Sequence, residues 1–215
     1  MSSETKAQVA GARLYLVAPA QIAAGPLANL IPELAAAGVD IVQLREKELE
    51  AGDVLRVGAK LAESCEGAGI PFIVNDRPDV AAVLGAGVHV GQNDLPVEHA
   101  RRFVTDGIVG LSTHAESEID AARAGVVVPD YVAVGPVFET PTKPGRPAAG
   151  LGLVAYAAER IEIPWFAIGG IDESNVVEVM DRGARRIVVV RAITEASDPV
   201  AAAALLRSLL DEVPL

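Results

Sequence analysis

Eight short apolar runs, each followed by a segment of helical period, constrain this chain more than any other feature of its sequence. The runs fall at 14–17, 41–44, 71–74, 88–90, 108–111, 131–134, 165–168 and 187–190. The Ala-rich, charge-dotted stretches that follow them lie at 26–37, 51–66, 79–84, 97–104, 115–124, 151–160, 173–182 and 200–210. Repeated strand–helix–strand units give a parallel sheet with right-handed crossovers. Eight such units can close on themselves, which removes exposed edges. An open doubly wound sheet would instead need a glycine fingerprint such as G-x-G-x-x-G after its first strand. Here Ala18, Pro19 and Ala20 occupy that place and cannot do the job. The pattern predicts an α/β fold, a (β/α)8 TIM barrel over 13–215, preceded by a flexible N-terminal tail at 1–12. Aromatics are only 4% of the chain, so Ala, Val, Leu and Ile must build the core. That mix suits buried parallel strands with helices packed closely on them.

Charge and cysteine content narrow the function. A net charge of −11 argues against a general nucleic-acid binder, which needs basic patches. An anionic small molecule would need a locally positive pocket. Cys65 is the single cysteine, so no intramolecular disulfide can form and a reducing compartment is expected. It lies in an Ala-rich helical segment with no motif around it, as a packed or half-exposed thiol would. The first residues, MSSETKAQVAGA, lack the basic start and apolar run of a signal peptide. No apolar stretch approaches the ~20 residues of a membrane span. The expectation is a soluble, cytoplasmic protein with no membrane or nucleic-acid partner.

Barrel active sites are built where the strands end, so the residues just after each apolar run carry the information. After the second run come Gln43, Leu44, Arg45, Glu46 and Lys47. Alternation puts Gln43 and Arg45 on one face and Leu44 on the other. Two cations and an amide converging there suit a polyanion. After the third come Asn75 and Asp76, and after the fourth Gly91, Gln92, Asn93 and Asp94. Neighbouring strands lie ~4.8 Å apart, so Asp76 and Asp94 can face one space. Two hard carboxylates with amide neighbours suit Mg2+ completed by waters and phosphate oxygens. The competing reading is structural: Asp76 caps the next helix and Asp94 sits in a turn before Pro96. After the fifth run, Ser112 either hydrogen-bonds a substrate or caps the following helix. Neither His89 nor His114 sits in a triad-like arrangement, and both read as packed or hydrogen-bonded.

The sixth run opens into an unusually long connection, 135–150, which contains Pro136, Pro141, Pro144 and Pro147. Proline fixes φ and donates no hydrogen bond, so the strand cannot continue there. Within the connection Thr140, Thr142 and Lys143 are typical phosphate donors. After the seventh run, Gly169 and Gly170 let the backbone approach an anion closely. Two anionic subsites result: a cationic, metal-bearing one on strands two to four, and one made by the long loop and the paired glycines. No nucleophile stands beside a base, which disfavours covalent catalysis.

With these residues assembled, nearly the whole chain after about residue 12 resembles thiamine phosphate synthase. The matching blocks, in order, are QLREK at 43–47, Asn75–Asp76, GQND at 91–94, STH at 112–114, GPVFETPTK at 135–143 and IGGI at 168–171. The resemblance implies a transferase joining 4-amino-2-methyl-5-pyrimidinylmethyl diphosphate to a thiazole phosphate, with Mg2+ as cofactor and pyrophosphate released. A carboxylated thiazole would also lose CO2. By position it implies that Gln43, Leu44, Arg45, Glu46, Lys47, Asn75, Ser112 and Lys143 bind the pyrimidine diphosphate. Arg45, Lys47, Ser112 and Lys143 would be the catalytic members. Asp76 and Asp94 would hold Mg2+, and Thr140, Pro141, Thr142, Gly170, Val190 and Arg191 the thiazole phosphate. The family's eighth strand usually ends Val-Ser-Ala-Ile, whereas this chain has Arg191 in place of the serine. The rival readings are a thiazole tautomerase, which needs no diphosphate site, and a non-catalytic precursor binder. A homo-oligomer stays open.

Overall fold

Alternation of side chains decides how each apolar run is used. In the computed structural model, which describes residues 3–125, 127–141, 145 and 147–215, odd and even strand positions go to two different cores. Residues such as Leu14, Leu16, Val42, Leu44, Val74, Val88 and Val132 pack outward against helices. Tyr15, Val17, Ile41, Ile73, Ile108, Tyr131, Phe166 and Val188 point inward and fill the space between the strands. Both faces of every strand are therefore buried, which is why the runs read as near-continuous apolar stretches.

The elements follow the expected order. The chain runs α1 (Ser3–Gly11), β1 (Leu14–Pro19), α2 (Ala20–Ile22), a π-helical turn at Ala23–Leu27, α3 (Ala28–Ala36), β2 (Ile41–Arg45), α4 (Ala51–Ala68) and β3 (Phe72–Asn75). It continues through α5 (Pro78–Leu84), β4 (Gly87–Val90), α6 (Val97–Phe103), β5 (Val109–Thr113), α7 (Glu116–Ala124), β6 (Tyr131–Val134) and α8 (Gly150–Arg160). The last units are β7 (Trp165–Ile168), α9 (Val176–Asp181), β8 (Ile187–Val189), α10 (Arg191–Thr194) and α11 (Pro199–Asp211). All eight strands are parallel and close in sequence order, with β8 pairing to β1 through Tyr15 opposite Val188. The fold is a (β/α)8 barrel.

Where the sequence suggests a tail at 1–12, residues Ser3–Gly11 are helical. Val9 and Ala12 are buried and join the inward-facing core. Lys6 pairs with Asp130 at 3.0 Å, Gln8 donates to the Gly69 carbonyl and Arg186 to the Ala10 carbonyl. Those partners precede β6, β3 and β8, so α1 lies across the N-terminal end of the barrel, opposite the expected site. Its small, polar sequence has no apolar stripe, because only Val9 and Ala12 have to reach the core.

The interior is filled by few but large rings, and one glycine makes this possible. A Cβ at Gly110 would fall on the Tyr131 ring, its register partner on β6. Tyr131 then meets Tyr15 and Phe166 edge-on, with ring centroids 5.8 and 5.6 Å away. Cys65 is buried on α4, and burial pushes its thiol up to about 12. It is a packing residue, since a neutral buried thiol is a poor nucleophile. Among the described residues no helix is long and apolar enough to cross a membrane.

Candidate active site

At the C-terminal end of β2 the alternation holds as expected. Gln43 is buried inside the barrel, where its Nε2 donates to the Tyr15 hydroxyl at 2.7 Å. The Leu44 side chain lies in the layer between strands and helices, so only its backbone faces the barrel mouth. Arg45 is half-buried at the strand's end and lines a small cavity with Val17, Pro19, Pro141, Val190 and Arg191. The Glu46 carboxylate accepts from the backbone N–H of Lys47 and of Glu48, both at 2.7 Å. Glu46 thus shapes the turn that aims Lys47.

Lys47 reaches across to β3, placing Nζ 3.2 Å from Asp76 Oδ2. Asp76 sits at φ 61°, a left-handed conformation uncommon outside glycine. Its backbone N–H donates to the His89 carbonyl at 2.8 Å, which ties the end of β3 to β4. Asp76 caps no helix, since Arg77 occupies the N-cap of α5 and makes no side-chain cap bond. Its carboxyl is held above the usual range. Burial is the first cause, a hydrogen bond and the negative charge of Asp94 follow, and Lys47 opposes them. The two carboxyls therefore do converge. Asp94 also does the turn work expected of it, accepting from the Gly91 N–H at 2.8 Å.

On β5, Ser112 is buried and its Oγ lies 2.8 Å from His89 Nε2. It caps nothing, because Ala115 is the N-cap of α7. Gln92 reaches over from the β4 loop and donates to the Ser112 carbonyl at 2.6 Å. His114 is engaged by Glu118, whose Oε2 accepts from its backbone N–H and lies 3.1 Å from Nδ1.

The other half of the mouth comes from β6, β7 and β8. After β6, Val137 and Phe138 donate to the carbonyls of Ile168 and Gly169 at 2.8 and 2.9 Å, so the long connection starts as an extension along β7. Thr140 and Pro141 follow, whereas the expected contacts Thr142 and Lys143 lie outside the described residues. Gly169 and Gly170 have φ of 107° and 68°. A Cβ on Gly170 would come within 2.8 Å of Phe138 Cβ and 3.0 Å of the Glu139 carbonyl. Asn175 locks this turn, donating to the Gly170 carbonyl at 2.8 Å and accepting from the Asp172 N–H at 3.0 Å. The glycines, Thr140, Val190 and Arg191 line a cavity of about 370 Å³ between β7, β8 and α11. Asp172, Glu173 and Glu195 line it too, so Arg191 is its one cation among the described residues.

A model of the family described as thiamine monophosphate synthase matches residues 14–193, which is most of the barrel. The chain belongs to that family. A thiamine-phosphate synthase of Thermus thermophilus is 57% identical over 178 residues, covering 81% of this chain and 84% of the relative. One from Acidothermus cellulolyticus is 52% identical over 202 residues, covering 93% and 95%. The solved thiamine phosphate pyrophosphorylase of Pyrococcus furiosus superposes with a TM-score of 0.82 at 29% identity and covers 98% of each chain. The function is that of a thiamine-phosphate synthase, a transferase of thiamine biosynthesis.

A divalent cation suits the donor set this family member presents. Asp76 and Asp94 bring two hard oxygen donors together at a cost to an ionised Asp76, and a cation between them would relieve it. Among the described residues no third His, Cys, Asp or Glu joins them. Water and phosphate oxygens would have to complete the shell.

Sequence reasoning missed one part of the site. Tyr15, Tyr131 and His89 are buried polar side chains inside the barrel, hydrogen-bonded to one another and to Gln43 and Ser112. The signal was present in the alternation. Val88 and Val90 face the helices, so His89 between them has to face the barrel axis, and Tyr15 between Leu14 and Leu16 likewise.

Proposed function

We propose that the chain joins the methylene carbon of 4-amino-2-methyl-5-pyrimidinylmethyl diphosphate to the ring nitrogen of a thiazole phosphate or its carboxylated form. The carbon–oxygen bond to the diphosphate breaks and pyrophosphate leaves with the electron pair. The thiazole nitrogen then supplies the electron pair for the new carbon–nitrogen bond, and a carboxylated thiazole also loses CO2. The observation that supports this reading is the placement of a cation at each of two places among the strand ends. Lys47 faces the Asp76–Asp94 pair on one side, and Arg191 lines the glycine-bordered cavity on the other.

In this reading the residues position and neutralise; none becomes covalently attached to substrate. Gln43, Asn75 and the backbone at Leu44 and Glu46 hold the pyrimidine diphosphate. Arg45, Lys47, Lys143 and Ser112 spread the charge that develops on the leaving group. Asp76 and Asp94 would hold Mg2+, which supplies further charge neutralisation to a diphosphate when bound. Thr140, Pro141, Thr142, Gly170, Val190 and Arg191 hold the thiazole phosphate. The pyrimidine amino group can delocalise positive charge from the methylene carbon, so alignment and electrostatic stabilisation can supply most of the rate. Cytoplasmic residence belongs to the same proposal and fits a chain whose one cysteine is a buried free thiol.

The deciding assay incubates purified protein with both substrates and Mg2+ and measures thiamine phosphate and pyrophosphate, with EDTA as control. Formation of both, lost with EDTA, is the expected result. Turnover of thiazole without pyrophosphate release would replace the reading with a tautomerase. Ligand-induced thermal stabilisation without product would replace it with a binder.

Arg191 adds a prediction specific to this chain. Its guanidinium is half-exposed and rests 3.9 Å from Glu195, a long, weak pairing that leaves it able to turn to a phosphate. Arg191→Ser is expected to raise KM for the thiazole phosphate about fivefold, the ~1 kcal/mol of a solvent-screened charge contact. KM for the pyrimidine diphosphate should not move. Equal thiazole KM values in the two proteins would remove Arg191 from the subsite.

A further inference from the structure

Five buried side chains from five strands form one continuous hydrogen-bonded chain through the barrel interior. Gln43 Nε2 donates to Tyr15 Oη at 2.7 Å, and Tyr15 Oη lies 2.8 Å from Tyr131 Oη. Tyr131 Oη lies 2.9 Å from His89 Nδ1, and His89 Nε2 lies 2.8 Å from Ser112 Oγ. All five residues are buried. Burial is also the first reason that both phenols stay protonated at any working pH.

Such a chain has a polarity, because each hydroxyl carries one proton and a neutral imidazole donates from only one nitrogen. With the Gln43 amide donating, Tyr15 accepts there and gives its own proton to Tyr131. Tyr131 gives its proton to His89 Nδ1, and His89 donates from Nε2 to Ser112 Oγ. The Ser112 proton is then the one the chain does not use. In the opposite polarity Tyr15 would accept from both neighbours, and its own proton would have no acceptor within the chain.

We infer that His89 is a positioning residue whose Nε2–H tautomer, set by Gln43 through Tyr15 and Tyr131, holds Ser112 as a hydrogen-bond donor toward the barrel mouth. The inference rests on the proposed role of Ser112 beside the pyrimidine diphosphate. A leaving diphosphate gains negative charge, so a serine that donates stabilises it and one that accepts opposes it. The same chain makes Gln43 and Ser112, on β2 and β5, parts of one unit through three intervening side chains.

The first test needs no substrate and no variant beyond the one that assigns the signals. Long-range 1H–15N correlation on 15N-histidine-labelled protein reads the tautomer of each of the three histidines, with His89→Gln assigning the His89 signals. A neutral ring protonated at Nε2 is the expected result, and protonation at Nδ1 would overturn the inference. The second test is kinetic, on folded variants. His89→Leu is expected to lower kcat about tenfold with little change in KM for the thiazole phosphate. His89→Gln keeps an amide donor and a carbonyl acceptor, and should recover part of that loss. Combining Tyr131→Phe with Ser112→Ala should cost little more than Ser112→Ala alone, since both break one unit. Multiplying losses, or a glutamine variant no better than leucine, would overturn the inference. If wild-type protein forms no thiamine phosphate, the function proposed above fails, while the tautomer still decides the polarity of the chain.

Discussion

Replacing Asp76 with asparagine is expected to reduce turnover by a factor on the order of a hundred to a thousand, the scale of losing one preorganised electrostatic group, while leaving the barrel at least as stable. Asparagine is the informative substitution because the residue sits at φ 61°. Asparagine tolerates that conformation, whereas alanine there would cost about 1–2 kcal/mol and blur chemistry with folding. The stability half of the prediction follows from the direction in which the Asp76 carboxyl is shifted. Burial, then Asp94, hold it above its ordinary value. A carboxyl raised in the folded state favours folding while protonated, and that contribution disappears as pH rises through the folded value. At neutral pH the ionised pair therefore weighs against the fold unless a cation neutralises it. Without Mg2+, the asparagine variant should melt at or above the wild-type temperature. Added Mg2+ should raise the wild-type Tm and barely move that of the variant. Equal Mg2+ stabilisation of both proteins, or near-normal turnover in the variant, would remove Asp76 from the metal site.

Gly170→Ala is expected to raise KM for the thiazole phosphate at least about tenfold, or ~1.4 kcal/mol. Two independent requirements meet at this residue. Its φ of 68° favours glycine, and a Cβ would press on Phe138 Cβ and the Glu139 carbonyl. Phe138 is bonded to the end of β7, so the loop that carries Thr140 has to move with it. The strain should also cost about 1–2 kcal/mol, or roughly 2–8 °C in Tm for a chain of this size. KM for the pyrimidine diphosphate, bound across the barrel mouth, should stay within about twofold. A matched rise in both KM values would mean that the glycine turn shapes the whole mouth and not one subsite.

Much of the candidate site is legible in the amino-acid sequence because a parallel barrel makes position along the chain informative. Gln43, Asn75, Asp76 and Ser112 each lie at the end of an apolar run or just after it, and a strand's C-terminal end in this architecture faces one shared mouth. The competing readings also have definite outcomes. Helix-capping for Asp76 and Ser112 gives way because Arg77 and Ala115 hold those N-caps. Asp94 keeps both a turn bond and its carboxylate neighbour. Leu44 shares a motif with its neighbours, although alternation alone sends its side chain to the helix layer. The segment 1–12 reads as a tail because Val9 and Ala12, the residues that cap the barrel floor, are too few to make a periodic pattern.

The sequence by itself determined the unit and its repeat: eight apolar runs with glycine and proline punctuation, and therefore a closed parallel barrel with its chemistry at one end. Local physics suffices for this, since period and turn chemistry act between residues close in the chain. Only the tertiary structure decided which distant side chains share a space. Tyr15 and Tyr131 are 116 residues apart and their hydroxyls meet at 2.8 Å, a contact made possible by the missing side chain at Gly110. The Asp76–Asp94 pairing and the chain from Gln43 to Ser112 likewise depend on barrel closure and register. Neither leaves a local periodic trace, because the forces that set them act across strands and not along them.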